Sequence, residues 1–162
     1  MPAARNKFEP IAVEWSESAS KLLAAVEQLP ALMKAEDCLV TATELLRGWV
    51  WETDAAHRFT FVGKSVREFG GQEPDWHYGK TREQLGDLPA ESVEGEQVAR
   101  LLAAREAFGP VVFRRRRDEG CLSMRVMGKP IFDAAGIFVG YRGIAFDITS
   151  DAPAGAGTGS SA

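Results

Sequence analysis

The sequence predicts an α+β domain, a five-stranded antiparallel sheet with helices on one face, preceded by N-terminal helices. Three observations carry this. Two strand-like runs flank a short turn near residue 50. A stretch broken by glycine and proline, then a helical run, occupies residues 64–108. Three further strand-like runs follow, separated by tight turns. At 162 residues, with 45% apolar and 26% charged positions, the chain holds enough apolar surface for one core plus tails.

Taken in order, residues 1–17 carry Pro2 and Pro10 without a clear period and read as a flexible arm. Residues 18–47 read as a helical extension. Leu22, Leu23, Ala25 and Val26 recur at helical spacing behind a Ser18 N-cap, and Pro30 stops that run. A second helix over 32–46 presents Leu32, Met33, Leu39, Val40, Leu45 and Leu46 before Gly48. The extension serves either as a lid over the core or as a dimerisation element.

Residues 48–150 form the main domain. Strands at 49–53 and 58–63 flank the turn Asp54-Ala55-Ala56-His57. Gly70, Gly71, Pro74, Gly79, Gly86 and Pro89 leave room only for short helices, at 66–69 and 81–85. A long helix covers 91–108 through Val93, Val98, Leu101, Leu102 and Phe108, with Gly95 a weak point. Strands at 111–117, 122–132 and 137–148 meander through turns at Asp118-Glu119-Gly120 and Asp133-Ala134-Ala135-Gly136. Residues 151–162, rich in glycine and serine, read as a disordered tail.

The bulk properties exclude several classes. A net charge of −4 and a pI near 5.3 argue against nucleic acid. No apolar run reaches the ~18–20 residues needed to insert in a bilayer, and the N-terminus has no signal-peptide core. Cys38 and Cys121 lack the spacing of a disulfide frame or a zinc site and suit reduced thiols in a cytoplasm. The alanine-rich composition is of the kind that GC-rich bacterial genomes encode. No Ser/His/Asp arrangement, HExxH or phosphate-cradling glycine loop is present, so the chain is expected not to be an enzyme.

The residues then show a resemblance. Trp51-Glu52-Thr53-Asp54 followed by Arg58-Phe59-Thr60-Phe61, the Gly79-Lys80-Thr81 before a short helix, and Phe113-Arg114-Arg115-Arg116-Arg117-Asp118 resemble a PAS domain. So do Gly128-Lys129-Pro130-Ile131-Phe132-Asp133 and Asp147-Ile148-Thr149. The resemblance spans roughly residues 45 to 150 and is closest to bacterial sensory-box domains. One departure is Gly63-Lys64-Ser65, where many PAS domains have an asparagine after the second strand. The resemblance implies a sensor or interaction module with a slot between sheet and helices. It also implies that Asp147, Ile148 and Thr149 relay the signal at the end of the sheet.

Haem is not expected, because similar haem-binding domains place a histidine on the long helix and 91–108 has none. Covalent flavin is not expected either, since the Asn-Cys-Arg motif is absent. Non-covalent flavin or another small ligand stays open. His57 reads as a solvated turn residue, and His77 as a packed aromatic-like residue or a partner contact. The cysteines read as inert small apolar residues.

Candidate pocket residues follow from strand alternation: Trp49 and Trp51, Phe59 and Phe61, Met124 and Val126, with Leu101 and Leu102 opposite. Phe113 and the pair Arg114 and Arg116 join them. Alternation splits Arg114/Arg116 from Arg115/Arg117, and one pair must lean toward the helices. There it meets a core carboxylate or an anionic ligand. Glu52, Asp54, Asp118 and Glu119 are the candidate partners.

Two functions remain. The first is a stand-alone, non-enzymatic cytoplasmic adaptor, a homodimer docking on a histidine kinase or another PAS-bearing regulator in bacterial two-component or cyclic-dinucleotide circuits. The second is a small-molecule sensor that relays occupancy through the sheet. The short polar end after Asp147-Ile148-Thr149 leads to the expectation that no output domain follows.

Overall fold

The computed structural model describes residues 9–151, and the chain divides into two compact units at Thr41/Ala42. The leading unit is helical. Helix α1 (Glu9–Leu45) runs for 37 residues with Pro30 inside it, where the sequence reading began at Ser18 and broke at Pro30. Pro10 falls in the first turn, where its missing N–H would be unpaired anyway. Pro30 removes one backbone hydrogen bond, but strong helix formers flank it, among them Leu29, Ala31, Leu32, Lys34 and Ala35. The first eight residues of the expected arm and residues 152–162 of the expected tail lie outside the described residues.

The second unit holds β1 (Gly48–Asp54), β2 (Phe59–Val62), α2 (Val66–Phe69), α3 (Pro74–His77), β3 (Leu88–Pro89), α4 (Ser92–Ala104), β4 (Phe108–Arg116), β5 (Cys121–Phe132) and β6 (Phe138–Asp147). A 3-10 turn, Thr149–Asp151, closes it. The sheet is antiparallel, in the order β2-β1-β6-β5-β4-β3. It has six strands, one more than expected. The addition, β3, pairs Leu88 with Arg114 and Pro89 with Phe113. Two residues show no alternation to read, and proline is tolerated because β3 is an edge.

Two of the three tight hairpins are built alike. In β1–β2, Asp54 Oδ1 accepts the N–H groups of Ala56 and Arg58, each at 2.9 Å. In β5–β6, Asp133 Oδ1 accepts those of Ala135 and Ile137, again at 2.9 Å. The fourth turn residue is left-handed in both, His57 with φ 61° and Gly136 with φ 77°.

Three expectations shift. Helix α4 stops at Ala104 because Arg105 turns left-handed (φ 56°), its N–H donating back to the carbonyls of Leu101 and Leu102. Phe108 thereby opens β4 instead of ending the helix. The expected helix at 81–85 is only a hydrogen-bonded turn, while a helix forms at α3, with Pro74 in its first turn.

The core lies between the sheet and α2–α4 and includes Trp49, Trp51, Phe59, Val66, Phe69, Val98, Phe113, Met124 and Val126. Its centre is a row across four strands. Trp51 pairs with Gly143, Gly143 with Gly128, and Gly128 with Phe108. A Cβ on Gly128 would lie 2.7 Å from Trp51 Cη2, so the glycines leave room for the indole to lie flat on the sheet. The Trp51 and Phe108 rings then meet at 6.2 Å.

Candidate functional site

A cavity of about 460 Å³ opens between this floor and α4. Its floor is Trp51, Phe108, Phe113 and Tyr141, and its helix wall is Gly95, Val98, Ala99 and Leu102. Those helix positions share one face, and the two small residues create the space. Leu88 and Pro89 of the added strand close one side. Thr53, His57, Thr81, Arg82, Glu83 and Asp87 supply the polar lining.

Of the residues expected at the pocket, Trp51, Leu102 and Phe113 line it. Trp49, Phe59, Met124 and Val126 are buried in the core beneath, and Leu101 packs against that core. Phe61 does not point inward. A bulge between Glu52 and Thr53 pairs Thr53 with Phe59 but Glu52 with Phe61, and inward alternation resumes at Val62. Phe61 is 46% exposed. Arg114 and Arg116 are also exposed, because the inward series on β4 runs Val111, Phe113, Arg115.

The inward arginine, Arg115, meets a carboxylate that none of the expected partners supplies. Its Nε donates to Asp87 Oδ1 at 2.6 Å and its Nη2 to Oδ2 at 3.0 Å. Arg117 donates instead to the carbonyls of Phe69 and Gly70, and Glu52 pairs with Arg142. A second guanidinium shares Asp87, with Arg82 Nη1 at 3.4 Å from Oδ2. Arg82 Cζ sits over the rings of Trp51, Phe59 and Phe113 at 4.6, 5.1 and 5.4 Å. Burial, with Arg115 adding to it, pulls the Arg82 guanidinium down to about 10. A capping box fixes this turn: Thr81 N–H donates to Gln84 Oε1, and Gln84 N–H to Thr81 Oγ1. Thr81-x-x-Gln84 is a capping pattern in the sequence that could have located this turn. Asp87 had no such signal, because its partner is 28 residues away.

His57 leaves the solvated role read for it, whereas His77 takes the packed one. His57 is half-buried at the cavity, its ring 5.9 Å from Tyr141 and 6.4 Å from Phe138. His77 is a buried, packed ring, T-shaped against Trp76 and donating from Nδ1 to the Glu73 carbonyl. Burial, then the Arg115 charge, holds it below the usual imidazole range. Both cysteines are free and exposed, not tucked into apolar surroundings.

Asp147, Ile148 and Thr149 tie the sheet end together. Thr149 donates its N–H and Oγ–H to Asp147 Oδ1, while its hydroxyl accepts the Ser123 N–H. Ile148 N–H donates to the Ser123 carbonyl. Arg47, just past α1, donates to Asp147 Oδ2 at 2.9 Å. Burial opposes ionisation of Asp147, but the Thr149 and Arg47 bonds outweigh it and hold the carboxyl below its ordinary value.

No family model matches the chain, and no curated protein matches it in sequence. Solved structures do match. An RNA-binding light-oxygen-voltage receptor superposes with a TM-score of 0.58 at 16% identity, over 77% of this chain and 35% of that one. A light-oxygen-voltage domain studied with a flavin analogue gives 0.55 at 18%, over 70% of this chain and 87% of that one. The E. coli DhaR(N)–DhaL complex gives 0.51 at 14%, over 85% and 44%. The chain thus spans about a third of the first and under half of the third. Sheet order, helical layer and these superpositions agree: the chain has the PAS fold, the fold of the light-oxygen-voltage domains.

Proposed function

We propose that this chain is a non-enzymatic signalling module that senses a small ligand in the cavity and relays its occupancy along β6. The cavity of about 460 Å³ carries this reading, since it falls in the range of small-molecule sites and is mostly apolar with a few polar groups. Helix α4 is its wall. The Tyr141 hydroxyl donates to the carbonyls of Glu106 and Leu101, coupling the end of α4 to β6. The same strand ends at Asp147, which holds Arg47. A ligand that displaces α4 therefore has a continuous path of packed and bonded groups to the Asp147 end.

A thermal-shift screen of a fragment library against the wild type and Ala99→Leu tests this. Ligands that stabilise the wild type and lose that effect in the filled variant are expected. A library whose hits act equally on both proteins would contradict the reading.

A second reading, an adaptor, draws on the other face of the sheet. There Val50, Ile144 and Met127 form a half-buried apolar row across three strands, with Arg114, Arg116 and Arg125 exposed on β4 and β5. One fold neighbour was solved in a complex with another protein. The partner on this reading is a histidine kinase or another PAS-bearing regulator in a bacterial two-component or cyclic-dinucleotide circuit, acting in the cytoplasm. Self-association would use α1, where exposed Leu22, Val26, Leu29 and Met33 follow a 4-3-4 spacing. Crosslinking in the host that captures no signalling protein would remove this reading.

A further inference from the structure

Resting on the sensor reading, we infer that the cavity is selective for an organic acid, an apolar body whose carboxylate engages the guanidinium of Arg82. The charge balance of the wall leads there. Asp87, with no side-chain exposure, is gripped at both oxygens by Arg115, itself only 7% exposed. Arg82 reaches the same carboxylate only at 3.4 Å. One buried anion thus serves two cations, Arg115 buried and Arg82 half-buried, and a guanidinium normally fills its fork with two acceptors. Arg82 Nη2 and Arg115 Nη1 have no hydrogen-bond partner among the described residues, nor has the indole N–H of Trp51 on the cavity floor.

Burial, with the Arg115 charge adding to it, lowers the proton affinity of Arg82. Glu83, the other carboxylate of the wall, is exposed, where water screens it. Around this polar corner the lining is apolar, with Leu88, Pro89, Val98 and Leu102 facing the ligand's body. An acid satisfies both halves of such a site. A neutral ligand of the same shape leaves the Arg82 fork unfilled.

Calorimetric titration of the full chain with matched acids and primary alcohols, hexanoic to dodecanoic chains and naphthyl bodies, tests the inference. The acids are expected to bind about tenfold or more tightly than their alcohols. Arg82→Met should level that ratio, and Ala99→Leu should weaken both members. The wild-type ratio decides alone if Arg82→Met fails to fold. Equal binding of acid and alcohol, lost in Ala99→Leu, would overturn the acid selectivity and leave the sensor reading standing. No binding by any member would overturn the acid inference, and the fragment screen would then judge the sensor reading by itself. Tighter binding of flavin mononucleotide than of every acid would move the anion to a phosphate and overturn the carboxylate assignment.

Discussion

Asp87 is the residue on which the polar corner turns. It accepts from Arg115 and Arg82, so Asp87→Asn leaves two guanidiniums without their anion, in a site where Asp87 itself is fully buried. Breaking a buried pair in this way costs about 3–5 kcal/mol. Urea denaturation should show a loss of that size, and a loss below about 1 kcal/mol would mean that the pair is incidental to the fold. His77 gives a second residue-scale test. Burial, with the Arg115 charge, holds its folded-state proton affinity below that of an ordinary imidazole. The unfolded chain therefore binds the proton first as pH falls, and stability drops from about pH 6.5 down through the folded-state value. His77→Gln should flatten that part of the stability profile, and an unchanged slope would show that another group sets it. At this scale the sequence was partly legible. Alternation separated Arg115 from Arg114 and Arg116, but the pair expected at the pocket, Arg114 and Arg116, is the outward one, and Arg115 shares the inward face with Phe113. Pairing with Asp87 was not readable, because no periodicity links residues in a turn to a strand 28 positions away.

Elements were more legible where a period or a turn signature governed them. The strands of the two Asp-Ala-Ala hairpins, their turns and α2 formed where the sequence placed them. Misreadings fell where a single residue breaks the period: the bulge opposite Phe61, the left-handed Arg105 ending α4, and proline carried inside α1. The Trp51–Gly143–Gly128–Phe108 row shows the same dependence on pairing, since two glycines far apart in sequence matter only once β5 and β6 meet. Gly143→Ala pushes a methyl into the Met127 carbonyl and the Trp51 ring, and the resulting overpacking should cost about 1–3 kcal/mol or more with a shifted tryptophan emission. An unshifted emission at full stability would mean that the indole does not lie against the glycines. At the far end of β6, Asp147 contributes stability above the ordinary aspartate value, and that contribution is lost as pH falls through its depressed folded value. Asp147→Ala should remove this acid slope and weaken the output response while ligand uptake stays close to wild type. Global unfolding of the variant would reduce the role of Asp147 to a structural clamp.

For the whole molecule, element order identified the fold, because a hairpin, a helical excursion and three meandering strands close into few sheets. The cavity needed the structure. Gly95 and Ala99 line it with small side chains, which in sequence read only as a weak point in the helix and an ordinary helix former. Among the described residues no helix is long and apolar enough to cross a membrane. On the proposed reading this cavity receives a ligand. Native mass spectrometry of the full chain purified from its host, run beside Ala99→Leu and followed by denaturation, tests it most directly. A mass excess is expected on the wild type, disappearing on denaturation and absent from Ala99→Leu. A bare mass for both proteins, unchanged after incubation with a small-molecule extract of the host, would contradict it.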